Sequence, residues 1–225
     1  MKHIDIKEIF KNADFIGKSV TVCGWVRTAR DSKNVGFLAL NDGTTLNHLQ
    51  IVIDKTSGIE VDAEATKLGA SVKVIGTVVK NENNGTVEIN AEEIILLGKC
   101  PPDYPLQKKR HTLEYLRTVG HLRPRANTYS AAFRVRSVAA YAIHKFFQER
   151  GFMYAHTPLI SCSDCEGAGE MFRVTSFDLD NVPTTEDGKV DYSQDFFGKP
   201  AFLTVSGQLE GEIMAQSFGK IYTFG

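Results

Sequence analysis

The chain has 225 residues, 26 Lys and Arg against 27 Asp and Glu, with 42% hydrophobic and 24% charged side chains. This ordinary globular composition excludes collagen-like, coiled-coil and extensively disordered readings, and the length allows one large or two smaller domains. No apolar run approaches the ~18 residues of a membrane span, the opening Met1-Lys2-His3-Ile4-Asp5 lacks an export-signal core, and Cys23, Cys100, Cys162 and Cys165 are too few for a disulfide scaffold, so the expectation is a cytoplasmic protein with no membrane partner.

In chain order, Lys18–Arg30 is rich in β-branched residues and reads as a strand, followed by Val35–Leu40. Asn41-Asp42-Gly43 then signals a hairpin into Leu46–Asp54. Val61–Leu68 reads as a short helix stopped by Gly69, and Ser71–Lys80 and Thr86–Leu97 as two further strands around the turn-rich 81–85. Five strands with a helix between the third and fourth predict an all-β OB-fold barrel over residues 1–100. Three prolines within 101–105 and the basic Lys108-Lys109-Arg110-His111 mark a hinge over 101–126. Residues 101–146 carry nine basic and two acidic side chains, a local excess that can attract a polyanion.

A helix is predicted over Asn127–Arg150, with Val135, Val138, Ala139, Ala142, Ile143 and Phe146 as its buried stripe. A strand over Phe152–Ile160, broken by Pro158, comes next. The acidic, turn-rich 179–199 reads as an inserted hairpin, Phe202–Val205 as a strand and Gln208–Phe218 as a helix, with a further strand starting at Tyr222. Cys162 and Cys165 have knuckle spacing but no second pair, so no metal site is expected.

Strand alternation says which barrel side chains face outward. Leu38 and Leu40 share the inward phase, which turns Phe37 outward; Leu49, Ile51 and Ile53 turn Gln50 outward; Val87 and Ile89 turn Glu88 outward. An aromatic ring beside an amide and a carboxylate suits an unstacked base, with the ring stacking and the polar groups reading its edge. Arg27 and Arg30 can hold phosphates, and Trp25 reads as a packing residue.

Val22-Cys23-Gly24-Trp25-Val26, with Arg27, Arg30-Asp31 and Phe37, resembles the anticodon-binding domain of the aspartyl and asparaginyl subclass of class II aminoacyl-tRNA synthetases. The resemblance implies that Phe37 stacks on the central anticodon base, Gln50 bonds the same base and Glu88 contacts the first. Glu149–Ile160 resembles motif 1 of class II synthetases, which implies the start of an α+β catalytic domain over 127–225, an antiparallel sheet with flanking helices, and a homodimer interface that includes Pro158. Ser163–Phe172 resembles the loop that closes over the amino acid, with Glu166 toward its ammonium group, and Leu203–Glu212 resembles the amino-acid-binding strand and helix start, with Ser206 and Gln208 in the pocket.

Where the aspartyl branch places a lysine this chain has Gly211, which implies a neutral amide substrate rather than a carboxylate. The expected whole reaction is therefore ATP-dependent activation of asparagine, with Mg²⁺, and transfer to tRNA(Asn), with no DNA partner. The arginine-bearing motifs 2 and 3 do not occur in these 225 residues, so no catalytic residue is assigned and the chain alone is expected not to catalyse. The alternative is a stand-alone OB-fold nucleic-acid-binding module, or a paralogue without ligase activity.

Overall fold

A computed structural model describes residues 2–82, 84–165, 167 and 171–224. The chain divides into two compact units, Met1–Val135 and Arg136–Gly225.

The first unit is built on five strands: β1 (Ser19–Asp31), β2 (Val35–Asn41), β3 (Leu49–Asp54), β4 (Ser71–Lys80) and β5 (Val87–Gly98). They close in the order β1-β2-β3-β5-β4, with β3 and β5 parallel and the other pairs antiparallel. Period-two alternation is clearest in β2, where Gly36, Leu38 and Leu40 are buried between half-exposed neighbours. Val22, Leu40, Ile51, Val74 and Ile89 meet in the closed interior, and a five-stranded barrel leaves no room for more than such side chains. Gly76 lies at a register shift between β4 and β5 where a Cβ would sit 2.2 Å from the Asn90 carbonyl oxygen, so only glycine allows that approach.

A helix absent from the sequence expectations, α1 (Ile6–Lys11), buries Ile6 and Ile9 in the barrel core. Its first N–H groups find acceptors in the β2–β3 loop: the Ile6 N–H donates to Asp42 Oδ2 at 2.7 Å and the Lys7 N–H to Thr44 Oγ1 at 3.1 Å. The helix expected over 61–68 is only a 3-10 turn, Ala63–Thr66, with Asp62 capping the Glu64 N–H. One buried residue, Ala65, gives so short a segment too little apolar face to propagate an α-helix. Beyond the barrel this unit also holds α2 (Leu113–Thr118) and the start of α3 (Asn127–Gln148). The expected hinge 101–126 lies wholly within its bounds.

In the second unit α3 ends at Gln148, and its inward face differs from the expected stripe. Val135, Val138, Ala139, Ala142 and Phe146 are exposed. The side that packs carries His144 and Phe147: Phe147 stacks on Tyr222 with centroids 4.6 Å apart, and His144 Nδ1 bonds the Tyr222 hydroxyl at 2.7 Å. Ring geometry and one hydrogen bond therefore orient the helix, which hydrophobicity alone does not register. The strand expected over 152–160 is two short strands, β6 (Met153–Tyr154) and β7 (Ile160–Ser161), in different sheets. Pro158 has no N–H to continue a ladder, and Thr157 before it is restricted. With β8 (Arg173–Val174), β9 (Ala201–Leu203) and β10 (Ile221–Tyr222), the order is β7-β9-β8, antiparallel, and a parallel β10-β6 pair. Helix α4 (Gln208–Phe218) lies between β9 and β10. The 179–199 insert closes through a single bridge, Thr184 to Val190, and Asp195 pins it by accepting the Ser176 N–H at 2.9 Å and its hydroxyl at 2.8 Å.

Candidate functional site

On the barrel, pairing aligns four of the five sequence-selected residues. Arg30 stands opposite Phe37 across β1–β2, and Gln50 opposite Glu88 across the parallel β3–β5 pair. Phe37 is half-exposed and lines a cleft of about 440 Å³ with Arg30, Ile53, Ile59 and Val61. An apolar wall with one ring, edged by Arg30 and by the Lys55–Asp31 ion pair, accepts a planar base, with Arg30 toward an adjoining phosphate.

The Gln50 amide is oriented by its neighbour. Its Nε2 donates to Glu88 Oε2 at 2.8 Å, and because an ionised carboxylate only accepts, the NH₂ side must face Glu88. This leaves Gln50 with an acceptor oxygen and a second N–H to offer a base edge. Glu88 itself is 9% exposed, against the outward carboxylate expected from alternation. It does share Gln50's face, but Asn81 Nδ2 reaches back from the β4–β5 turn and bonds the same Oε2 at 3.1 Å, covering it. Glu88 thus positions Gln50, a role that only the fold reveals, since Asn81 lies in a turn whose reach no periodicity describes.

Arg27 departs from this group. A β-bulge between Val26 and Thr28 breaks the alternation. The Arg27 side chain is half-buried, and its Nη1 donates to the Arg125 carbonyl at 2.8 Å. Burial pushes its guanidinium below the ordinary value, Tyr104 opposes, and the neighbouring Arg125 charge lowers it further. Trp25 is 38% exposed, with the Arg125 guanidinium over its ring at 4.8 Å. It is held by a cation–π contact rather than packed into the core.

In the second unit Ser206 and Gln208 come together. Ser206 Oγ accepts the Gln208 N–H at 3.1 Å, and Gln208 Nε2 donates to Glu212 Oε1 at 2.9 Å, one turn along α4. Gly207 lets the chain pass Thr157 closely: a Cβ there would lie 2.2 Å from Thr157 Oγ1. Two clefts of about 440 and 380 Å³ meet at Ser206 and Gly207. Gln208, Gly211 and Glu212 line the smaller one, and none of its lining residues is Lys, Arg or His. Glu212 escaped the sequence reading, although its i,i+4 spacing from Gln208 on a predicted helix was the available signal. Cys165 is buried with Sγ 3.6 Å from Gln208 Oε1, while Cys162 is exposed. Glu166 lies outside the described residues. Pro158 is exposed between two short strands.

Two family models match the chain: an OB-fold nucleic acid binding domain over residues 20–97, and tRNA synthetases class II (D, K and N) over residues 112–225. Among curated relatives, the asparagine–tRNA ligase of Clostridium tetani is 52% identical over 227 residues, covering 100% of this chain and 49% of that protein. The asparagine–tRNA ligase of Acetivibrio thermocellus is 53% identical, with the same coverage. The chain thus spans about half the length of the curated relatives it matches. Its fold resembles the asparaginyl-tRNA synthetase from Pyrococcus horikoshii complexed with asparaginyl-adenylate, with a TM-score of 0.77 at 21% identity over 100% of this chain and 48% of that one. The Entamoeba histolytica asparaginyl-tRNA synthetase, also complexed with asparaginyl-adenylate, gives 0.71 at 20% identity over 94% of this chain and 45% of that one. An OB-fold barrel followed by the start of a class II catalytic domain is thus the architecture, and the chain belongs to the class II tRNA synthetases of the D, K and N group.

Proposed function

We propose that this chain supplies RNA recognition and part of the amino-acid pocket of an asparagine–tRNA ligase. The observation that carries the reading is one barrel face, with Phe37 opposite Val52 and, two residues along β3, a Gln50 amide oriented by Glu88. The ring stacks on an anticodon base of tRNA(Asn), Gln50 bonds its edge, and Arg30 holds a backbone phosphate. The sequence division into a 1–100 barrel, a 101–126 hinge and a 127–225 partial catalytic domain fits this division of labour.

The pocket around Ser206, Gln208 and Glu212 favours asparagine over aspartate. A carboxylate side chain entering beside Glu212 would meet a like charge, and Gly211 offers no cation to offset it. An amide N–H₂ can instead donate to Glu212. Glu166 completes the proposed pocket at the ammonium group, and Pro158 sits in a proposed homodimer interface of a cytoplasmic enzyme. ATP is the co-substrate of the proposed reaction. Mg²⁺ accompanies ATP in this proposal; among the described residues no group of three or more His, Cys, Asp or Glu side chains is placed to hold a metal ion.

Binding tests the RNA reading. Phe37→Ala should weaken tRNA(Asn) binding by about 1–3 kcal/mol, the range for one lost base–aromatic stack. Equal affinity of variant and parent at fixed salt overturns the assignment. Pyrophosphate exchange by the full-length protein tests the pocket: asparagine should support it and aspartate should not.

A further inference from the structure

The first unit holds a second cleft, of about 620 Å³, that the anticodon face does not use. Arg27 and His48 line it from the barrel, and Lys108, Lys109, Arg110 and Arg125 from the segment that follows. No Asp or Glu lines it. The Arg125 guanidinium lies over the Trp25 ring at 4.8 Å, Arg27 Nη1 donates to the Arg125 carbonyl, and the Arg125 charge acts on Arg27 in a cleft that no carboxylate lines. Cations confined in this way repel one another, and an anion seated among them relieves that repulsion. Lys108, Lys109 and Arg110 add a row of three exposed charges along the rim.

The layout favours a chain of phosphates over a single small anion. Two or three donors suffice for one phosphate, whereas this cleft offers cations on both walls and a charged rim. Arg27 precedes Arg30 by three residues of β1, about 10 Å at ~3.3 Å per residue, and Arg30 stands opposite Phe37. The two clefts take their lining from successive stretches of β1, 25–28 and 29–31. We propose that this cleft seats consecutive backbone phosphates of the bound tRNA outside the anticodon triplet. The proposal rests on the reading above only in taking tRNA as the ligand.

The test measures affinity of the 225-residue chain for cognate and non-cognate tRNA between about 50 and 200 mM salt. In the triple variant Lys108→Ala, Lys109→Ala, Arg110→Ala the three changes are on exposed side chains outside the barrel core. Three lost phosphate contacts should make the slope of log affinity against log salt shallower by about 2, with equal weakening for both tRNAs. Phe37→Ala should instead lose the cognate preference and keep the parent slope. An unchanged slope in the triple variant, with Phe37→Ala still impaired, overturns the cleft proposal and leaves the anticodon reading standing. A shallower slope with Phe37→Ala unaffected does the reverse. Saturable ATP binding that the triple variant abolishes while the tRNA slope stays intact would make the cleft a free-nucleotide site and also overturns the proposal.

Discussion

The two units bury their apolar side chains in different ways. In the barrel every strand pairs on both sides, and α1 adds two isoleucines to its core, so Val22, Leu40, Leu49 and Ile51 are wholly enclosed. In α3, 22 residues long, no residue is buried; Val138 is 67% and Tyr141 69% exposed. A closed sheet satisfies its own backbone and interior from one contiguous hundred residues. A helix on a short sheet has one face covered, and the other keeps its apolar side chains exposed among the described residues. The difference teaches that self-sufficiency here belongs to topology rather than to composition, because both regions carry the side chains for a core.

Substitutions at two crowded glycines should separate the units most sharply. Gly76→Ala would drive a Cβ against the Asn90 backbone, which the β4–β5 ladder holds in place. Its cost should reach or exceed the upper end of the ~1–3 kcal/mol overpacking range, seen as a lower denaturation midpoint. Gly207→Ala meets only the Thr157 side chain among its nearest atoms, with Oγ1, Cβ and Cγ2 at 2.2, 3.0 and 3.1 Å, so a cost toward the lower end of the same ~1–3 kcal/mol range is expected together with a smaller amino-acid cleft. Equal losses at both sites would break the contrast.

Within the barrel, Glu88→Gln removes the charge from two hydrogen bonds, those from Gln50 and Asn81. Stability should fall by about 1–2 kcal/mol. Discrimination between cognate and non-cognate tRNA should fall as well, since the Gln50 amide is then free to flip. Full discrimination in the variant would show that Gln50 is oriented by something else.

A smaller effect is expected from His48. Burial, and then the Arg27 charge, hold its pKa below the ordinary histidine value, with a hydrogen bond from the ring to the Asn47 backbone opposing. The unfolded chain then binds more protons as pH falls through the ordinary histidine range. Stability should be complete above that range and decline below it, ahead of the carboxylate transition. Denaturation midpoints between pH 7.5 and 5 should drop for the parent and flatten for His48→Gln.

The smallest effect should come from α3. Val138→Ser on the exposed face should change stability by no more than ~0.5 kcal/mol. A loss above ~1 kcal/mol would show that this face is covered in solution and would remove the contrast between the units.

Local pattern determined the barrel. Alternation in β2 and β3 placed Leu38, Leu40, Leu49 and Ile51 inside, and turned Phe37 and Gln50 to the outer face, because side-chain direction in a paired strand depends only on parity. The motifs likewise carried the family. Parity is lost at a bulge, so nothing local announced that Arg27 would leave the Phe37 face for Arg125, 98 residues away. Nor did it announce Asn81 over Glu88, which depends on the shape of one hairpin turn, or Arg125 over Trp25, which needs two distant segments brought together. The side of α3 that packs was decided by Tyr222 and its bond to His144, partners 78 residues apart, and not by the helix's own hydrophobic stripe. Contacts of that separation exist only after the chain has folded, which is why they are properties of the tertiary structure and not of any window of sequence.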